Sequence, residues 1–406
     1  MKKKSKKLSE ILMICAFVLF ITVSMAVTLT NRGDMYSYYE NRLYAQMPEV
    51  NAENIVQGDF FNDLESFLCD HAAGRQTLLK AKTYADIYLL RRPVVNDVVV
   101  TDDVLLPFNG YETVDTEQIA SQAESMAKQH GRLKDEVESY GGSYFYMAVP
   151  CQYVCYENNY PSYLNNRSEF TDAELSALTN YMEKYGVSMI DMLPIFEGGM
   201  SDDGGPKKML DYSSAVDNHY GLMGAYTAYK TLIDRINSET DYQLFYPQEG
   251  EVAFSEVQTP YLGSRQRKLL GLAPWDEHLL KGTFREEIPF TRTDNGVPAE
   301  ASVYSEAAFE NGSVTYSLYM GGDIPETVIE TNRPELPSIL IYGDSFTNAV
   351  EALAYYSFDE MRSVDLRYYD QMSISQYIQE YKPDIVVCIR DYESLLAADG
   401  NGNLFS

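Results

Sequence analysis

A serine, a histidine and an aspartate in this chain occur in settings that suit acyl transfer. Ser345 lies in the segment Gly343-Asp344-Ser345-Phe346, and Asp217 and His219 are two residues apart in Asp217-Asn218-His219. A serine hydroxyl becomes a nucleophile when an imidazole accepts its proton, and a carboxylate orients that imidazole. The chain has four histidines, so few can be the base. We therefore predict Ser345 as the nucleophile, His219 as the general base and Asp217 as the orienting carboxylate.

The surrounding sequence predicts how these residues are positioned. The apolar run from Ser338 to Tyr342 is typical of a buried strand, Gly343 allows a sharp turn, and Ser345 comes where the next helix is expected to begin. Free N–H groups at a helix start favour negative charge, so the N–H of Ser345 is predicted to stabilise an oxyanion. Asn348, about one turn further along, is the candidate for a second donor.

Both segments also have purely structural interpretations. A Gly-Asp-Ser sequence after a strand can cap a helix through Asp344 or Ser345. Asp217 can likewise cap the helix expected over 221–236, and a lone histidine such as His219 is more often structural than catalytic. Asp217 and His219 share one face if their loop is extended, but whether they meet Ser345 depends on the fold.

The amino end predicts export across a membrane. Five lysines between Lys2 and Lys7 precede an apolar segment, Ile11 to Thr28, that contains no charged residue. Its length suits a membrane helix of roughly 20 residues, and the lysines favour a cytoplasmic amino terminus. The residues around Ser24-Met25-Ala26 also fit a cleaved signal. The expected arrangement is a single-pass cell-membrane anchor over residues 1–32, with the main domain outside the cell.

The chain beyond this segment is strongly acidic. Residues 1–30 contain five lysines and one glutamate, so the remainder has 27 basic and 59 acidic residues and a formal charge of −32. Such a surface argues against nucleic acid as a partner. An exported domain permits disulfides, and the spacing of Cys151 and Cys155 allows a local bridge without establishing it. The cysteine and histidine spacings do not favour zinc, and the chemistry expected of Ser345 needs no metal or cofactor.

Two regions follow the apolar segment. Residues 33–96 are predicted to be mainly helical, as a stalk or cap, and residues 97–406 alternate between helices and strands, which is typical of a parallel sheet. The alternation stops at about 240–335, where we predict a β-rich insertion beside the active face. Helices are expected over 116–139, 171–185, 221–236, 347–357 and 373–381, and strands over 144–149, 187–191, 314–319, 327–329, 338–342, 363–368 and 384–389.

The motifs together resemble a known family. Gly343-Asp344-Ser345-Phe346, after its apolar strand, is similar to the nucleophile block of SGNH/GDSL hydrolases. Asp217-Asn218-His219-Tyr220 resembles the Asp-x-His-Trp segment of the alginate O-acetyltransferases, in which the acid and base also precede the serine. The greatest similarity is to the DHHW protein family, over most of residues 36–395. Further similar stretches are Glu40-Asn41-Arg42, Asp70 with Gly74-Arg75, and residues 320–325, 363–369 and 382–384.

This resemblance implies an α/β fold, with an SGNH-like (flavodoxin-like) parallel sheet and helices on both faces. It also implies transfer or removal of an acyl group, in particular acetyl, on cell-surface polysaccharide, and a membrane-bound O-acyltransferase as a possible partner. Asn218 and Tyr220 replace the family's His and Trp, and Tyr220 is expected to reshape the acceptor site. The alternative is a non-catalytic SGNH-like scaffold that binds glycan or the membrane acyltransferase, because an ordinary Gly and Asn oxyanion pair is not evident.

Overall fold

The computed structural model describes residues 2–30, 35–40, 42–111, 113–199, 212–248, 250–273, 276–397 and 404–405. The chain divides into two compact units. The first comprises residues 1–96 and 267–273, and the second comprises residues 97–266 and 274–406.

Helices dominate the first unit. They are α1 (Lys2–Thr30), α2 (Ala52–Gln57), α3 (Asp59–Asp70) and α4 (Arg75–Tyr84), which continues into a π-helical turn at Ala85–Leu89; the strands are β1 (Tyr36–Ser37), β2 (Arg42–Leu43) and β3 (Val94–Val95). Within α1, Ser9–Thr30 contains an 18-residue stretch with a mean hydropathy of 2.6 and is long and apolar enough to cross a membrane. Signal sequences near an amino terminus share this length and composition. The helix is therefore a weak sign of an anchor or a signal.

An ion-pair cluster joins the segments of the first unit that carry the family resemblance. Arg42 donates two hydrogen bonds to Asp70, at 2.6 and 2.7 Å, and Arg75 donates one to Glu40 at 2.8 Å. The guanidinium of Arg42 lowers the pKa of Asp70 to about 2. These residues pair with one another, which gives them a structural role within the unit. Asn41, the middle residue of its motif, lies outside the described residues.

The second unit contains a large sheet and the longest helices outside α1. Its helices are α5 (Thr116–Glu138), α6 (Gln152–Cys155), α7 (Ser168–Lys184), α8 (Leu193–Gly199), α9 (Leu222–Glu239), α10 (Ser264–Lys268, the last two residues of which belong to the first unit), α11 (Asn348–Ala354) and α12 (Ile374–Tyr381). Its strands are β4 (Val98–Val100), β5 (Leu105–Pro107), β6 (Ser143–Val149), β7 (Ser188–Asp191), β8 (Val252–Glu256), β9 (Leu280–Phe284), β10 (Thr291–Asp294), β11 (Val297–Pro298), β12 (Phe309–Glu310), β13 (Ser313–Val314), β14 (Glu326–Glu330), β15 (Ile339–Gly343), β16 (Glu360–Asp365) and β17 (Ile385–Asp391).

The sheet has eight strands in the order β11-β10-β14-β16-β15-β17-β6-β7. From β16 to β7 all neighbouring strands are parallel, with Gly343 opposite both Asp365 and Ile389. The other three strands, β14, β10 and β11, extend the β16 edge in antiparallel fashion. The predicted α/β fold is thus confirmed in its general form. The sheet is mixed rather than wholly parallel, because strands of the predicted insertion continue it.

Helices cover both faces of this sheet. Successive side chains of a strand point to opposite faces, and two neighbouring residues of β16 show what lies on each. Arg362 donates a hydrogen bond to the hydroxyl of Tyr377 in α12 at 3.3 Å. Ser363, on the opposite face, donates one to Glu351 in α11 at 2.5 Å. Strands β15 and β17 are buried along their whole length, as the apolar runs predicted.

Some predicted elements differ from the structure. Of residues 314–319 only Val314 lies in a strand, at the end of β13. The chain then makes a 3₁₀ turn, Tyr316–Leu318, which buries the same alternate residues that suggested a strand. The strand predicted over 363–368 begins three residues earlier, at Glu360. Cys151 and Cys155 are free thiols, so no local bridge forms between them.

Candidate active site

Ser345 follows the carboxyl end of β15 by two residues. Gly343 ends that strand, and a Cβ atom placed on it would lie 2.0 Å from the backbone oxygen of Ile389 in β17. Glycine is therefore required by the close approach of the neighbouring strand. Its φ angle is not in the left-handed region, so the sharp turn predicted at Gly343 is not the reason for this residue.

The turn after β15 is held by Asp344. Its carboxylate accepts a hydrogen bond from the N–H of Phe346 at 2.9 Å, and its backbone oxygen accepts one from the N–H of Thr347 at 2.9 Å. Helix α11 begins at Asn348, one residue after the predicted start at 347, so Ser345 lies three residues before the helix rather than at its start. The local hydrogen bonds of Asp344 occupy the intervening residues and keep them outside the helix. Ser345 is partly exposed, whereas Asp344 and Phe346 are buried.

The three predicted catalytic residues form one chain of hydrogen bonds. The Nε2 atom of His219 lies 2.7 Å from the hydroxyl oxygen of Ser345, although the two residues are 126 positions apart. The other ring nitrogen of His219, Nδ1, lies 2.5 Å from Oδ1 of Asp217. This is the arrangement in which an imidazole can take the hydroxyl proton while a carboxylate orients the ring.

The surroundings of Asp217 keep its carboxylate charged. Its Oδ1 also accepts the N–H of His219 at 3.0 Å, and its Oδ2 accepts the N–H of Ser264 at 2.5 Å. Burial acts to raise the pKa of Asp217, but the imidazole of His219 and these N–H groups outweigh burial, and the pKa lies below its ordinary value. Asp217 therefore remains an anion at neutral pH, which is the state that can stabilise an imidazolium.

Aromatic rings enclose the imidazole. The ring of Tyr316 stacks on His219 with centroids 3.8 Å apart and planes 5° from parallel, and Phe346 lies 5.1 Å away. Tyr220 is buried, stacks on Phe346 and donates a hydrogen bond from its hydroxyl to the backbone oxygen of Phe346. Tyr220 therefore supports the turn that carries Ser345. Its buried position does not fit the role predicted for it at the acceptor site.

Two hydrogen-bond donors near the serine are unused. Among the described residues, none accepts a hydrogen bond from the backbone N–H of Ser345. The side-chain amide nitrogen of Asn348, in the first turn of α11, is buried and also has no partner within the described part of the chain. Buried polar groups normally have partners, so a donor left unused beside Ser345 is available for a ligand atom.

Three residues around the site were not identified from the sequence. Ser264 fixes Asp217, and Tyr316 covers His219; both come from the segment predicted as an insertion, and no local pattern marked them. Arg390, in β17, is completely buried with Nη1 3.4 Å from Oδ2 of Asp344. A charge inside the apolar run of a central strand requires a buried partner, and this signal was present in the sequence.

Asn218 and the predicted lack of a metal concern the surroundings of the triad residues. Asn218 contacts Ser264, whose hydroxyl donates to its amide oxygen at 2.9 Å, so it stabilises the loop rather than the reaction. Within the described residues, no group of three or more His, Cys, Asp or Glu side chains is arranged to hold a metal ion.

Comparisons with known proteins identify the fold. No family profile and no curated protein match this sequence. Among solved structures, Bacillus cereus PatB1 is similar with 22% identity and a TM-score of 0.60, covering 73% of this chain and 96% of PatB1. A DHHW family protein from Eubacterium siraeum has 18% identity and a TM-score of 0.58, covering 77% of this chain and 97% of its own. The O-acetyltransferase domain of Pseudomonas putida AlgJ is a more distant match, with 16% identity and a TM-score of 0.46, covering 74% of this chain and 93% of that domain. The predicted resemblance to the DHHW family is thus confirmed at the level of the fold.

Proposed function

We propose that this chain is an extracytoplasmic serine enzyme that transfers acyl groups to, or removes them from, cell-surface polysaccharide. The observation that carries the proposal is the hydrogen-bond chain from Ser345 through His219 to Asp217. Of the four histidines, His130 contacts Tyr144, His71 contacts Ala45 and His278 contacts Val257. Among the described residues, His219 alone joins a carboxylate to a serine hydroxyl.

The geometry supports a two-step mechanism. The hydroxyl oxygen of Ser345 attacks the acyl carbonyl carbon while its proton passes to Nε2 of His219. Asp217 stabilises the imidazolium that results. The imidazolium then gives the proton to the leaving oxygen of the donor, and Ser345 is left acylated. In the second step a sugar hydroxyl gives its proton to Nε2 of His219 and attacks the acyl carbon. The bond between that carbon and the oxygen of Ser345 then breaks, and the imidazolium returns the proton to this oxygen; water in place of the sugar gives hydrolysis.

The unused donors beside Ser345 support an oxyanion-binding site at this position. We assign the backbone N–H of Ser345 as one donor and the side-chain amide of Asn348 as the second. Both are preorganised, because Ser345 belongs to the turn fixed by Asp344 and Asn348 belongs to α11. Donors that are already oriented stabilise the developing charge without reorganisation.

We propose an SGNH-type sheet for this enzyme in permuted order. Counted from β15, the strand that precedes the serine, the five parallel strands would be β15, β16, β17, β6 and β7. Their spatial order is then 2-1-3-4-5, which is typical of flavodoxin-like folds. In such sheets the ligand binds outside the carboxyl ends of the strands, which is where Ser345 lies.

We also propose that α1 anchors the protein with its amino terminus in the cytoplasm. The lysines before the apolar segment support this orientation. A reporter fused after Ser406 should be active outside the membrane and remain in the membrane fraction. A mature protein released in soluble form would instead support a cleaved signal and contradict the anchor.

We propose acetyl as the acyl group and a membrane-bound O-acyltransferase as the protein that supplies it. Both proposals come from the resemblance to the DHHW and alginate O-acetyltransferase proteins. PatB1, which shares the fold, has been solved with a sulfonyl adduct. Reactivity toward such reagents is a property of activated serines, and the same test applies here.

The decisive experiment uses a sulfonyl fluoride or fluorophosphonate probe on the full chain in detergent. Mass spectrometry should place the label on Ser345, and Ser345→Ala should abolish both labelling and hydrolysis of an activated acetyl ester. In cells, the same variant should lower the ester content of surface polysaccharide at unchanged protein level. A scaffold would tolerate that substitution, so ester loss only on deletion of the whole protein would establish the scaffold instead.

A further inference from the structure

A cleft lies in the second unit, and its lining does not include the triad formed by Ser345, His219 and Asp217. It has a volume of about 560 Å³, within the usual range for small-molecule sites. The cleft is lined by strand β9, the segment between β9 and β10, residues 301–304 and Tyr355. We call it the insertion cleft, because all its lining residues except Tyr355 belong to the predicted insertion.

The walls of the insertion cleft are largely aromatic and already in place. Phe290 packs against Tyr355 with ring centroids 4.8 Å apart, and Phe284 lies 5.9 Å from the same ring. The hydroxyl of Tyr304 donates to the backbone oxygen of Gly282 at 3.0 Å and accepts its N–H at 2.7 Å. Rings fixed in this way lose little conformational entropy when a ligand binds. They suit the C–H face of a pyranose sugar.

The polar groups of the insertion cleft are hydroxyls and one carboxylate. Thr283, Ser302 and Glu287 line it, and Glu287 is exposed. None of the twelve lining residues, all within the described part of the chain, is Lys, Arg or His. This combination can bond sugar hydroxyls and attract an ammonium group. It repels a ligand that carries carboxylates or phosphates.

The cations that contact the lining residues are already engaged. Arg333 donates hydrogen bonds to the backbone oxygens of Tyr355 and Phe358, at 3.2 and 3.0 Å. Lys281 lies over the ring of Tyr304, 5.4 Å from its centroid, and 3.7 Å from the carboxylate of Glu306. Arg292 donates hydrogen bonds to the backbone oxygen of Ser302 at 2.6 Å and to Asp294 at 2.9 Å. All three cations are therefore already paired within the protein and leave an acidic sugar in the cleft without a counter-ion.

The insertion cleft is connected to the triad by packed elements. Tyr355 directly follows α11, whose first residue is three positions after Ser345, and a seven-residue helix rises about 10 Å. A series of ring contacts also leads from Tyr304 through Tyr319 and Tyr316 to His219, with centroids 6.2, 5.1 and 3.8 Å apart. A polymer of a few sugar units is long enough to span such a separation.

We propose that the insertion cleft is a glycan subsite that holds an uncharged or amino-sugar segment of the polysaccharide substrate and disfavours acidic sugars. This inference rests on the proposed function and deepens it by naming the class of glycan. It favours polysaccharides of neutral or amino sugars over polyuronates as substrates, and the family resemblance alone does not distinguish these two classes.

The experiment measures binding of three oligosaccharides of equal length by calorimetry, made from glucosamine, N-acetylglucosamine or galacturonic acid. The protein is the full-length Ser345→Ala variant in detergent, so that turnover cannot consume the ligand. The glucosamine and N-acetylglucosamine oligomers should bind, and the galacturonate oligomer should bind at least about tenfold more weakly. Phe290→Ala should weaken the first two by about tenfold, because an aromatic anchor is lost. Glu287→Gln should weaken only the glucosamine oligomer.

Tyr111→Ala is the matched control, because Tyr111 is an aromatic residue of the same unit that is 91% exposed. It should bind all three oligomers as Ser345→Ala alone does. Equal or tighter binding of galacturonate, no binding of any oligomer, or parent-like binding by Phe290→Ala would overturn the proposal. If Phe290→Ala does not fold, the charge dependence of Glu287→Gln decides alone. Failure of the probe to label Ser345 in the parent would defeat the proposed function but leave these binding results unchanged.

Discussion

Replacing Asp217 by Asn tests whether this carboxylate acts on the imidazole. Oδ1 of Asp217 accepts the N–H of His219 at 3.0 Å and faces Nδ1 at 2.5 Å, while Oδ2 accepts the N–H of Ser264 at 2.5 Å. An asparagine offers one oxygen and one NH₂ group in the same positions. If its oxygen keeps the two contacts with His219, its NH₂ must face the N–H of Ser264, donor against donor.

The substitution should lower both the free energy of unfolding and kcat, by different amounts. A buried donor left without an acceptor costs about 1–3 kcal/mol, so the free energy of unfolding should fall by that amount. The effect on the rate should be larger, because the imidazolium formed in the transition state loses its anion. In a serine-protease triad the same Asp-to-Asn change keeps the geometry and lowers kcat by about 10⁴-fold, which is about 5.4 kcal/mol at about 1.4 kcal/mol per tenfold. With that value as the upper limit, we expect a fall in kcat of about 10² to 10⁴.

The assay is hydrolysis of an activated acetyl ester by the full chain in detergent, with urea unfolding measured in parallel. Asp276→Asn is the matched control. Asp276 and His278 have the same two-residue spacing, at 3.2 Å, but the side chain of Asp276 is 97% exposed. The control should keep the parent's rate and stability. A parent-like rate in folded Asp217→Asn would refute the reasoning, whatever happens to the stability.

The remaining predictions concern the supports of the site. Tyr316→Leu removes the ring stacked 3.8 Å from His219, and kcat should fall about 2- to 10-fold in keeping with a ring pair worth about 0.5–1.5 kcal/mol; an unchanged ester-hydrolysis rate would make the stack incidental. Gly343→Ala places a Cβ 2.0 Å from the backbone oxygen of Ile389, so thermal or urea unfolding should show a loss of about 3 kcal/mol, and a variant as stable as the parent would contradict the close contact of β15 and β17. Burial raises the pKa of Glu277 from 4.5 to about 7; because the unfolded chain releases this proton first, stability should fall by up to about 3 kcal/mol as the pH rises from 4.5 to 7. Glu277→Gln should flatten that part of the stability curve, and an unchanged slope would show that other groups cause it.

The residues of the hydrogen-bond chain could be predicted because the sequence has only four histidines and because each residue lies in a recognisable local setting. A hydroxyl after a buried strand and an imidazole two residues from a carboxylate are visible in the sequence itself. Asp276 and His278 have the same two-residue spacing, so the spacing alone does not identify the pair that meets Ser345. Asp217 is buried, whereas the side chain of Asp276 is 97% exposed. Burial of the carboxylate is thus the feature that separates the two pairs.

The rest of the site depends on contacts between distant segments. Tyr316 was predicted as part of a strand, since alternate burial in a strand and in a 3₁₀ turn produces the same pattern over so few residues. Its contact with His219 joins residues almost a hundred positions apart, and no local preference encodes that. Likewise the strand at 327–329 was predicted, but its antiparallel pairing with β16 was not. Pairing partners are chosen by the packing of the whole sheet.

The strand order also determines when this protein can fold. β17, the last strand of the sheet along the chain, lies in its middle, between β15 and β6. Until residues 385–391 are available to pair, β6 and β15 have no common neighbour and the sheet beside Ser345 is incomplete. Pairing across such long sequence separations is slow and is completed late. We therefore expect the chain to remain open to proteases until β17 has been synthesised. Chains truncated before β17 should be digested by a protease that the chain with β17 resists.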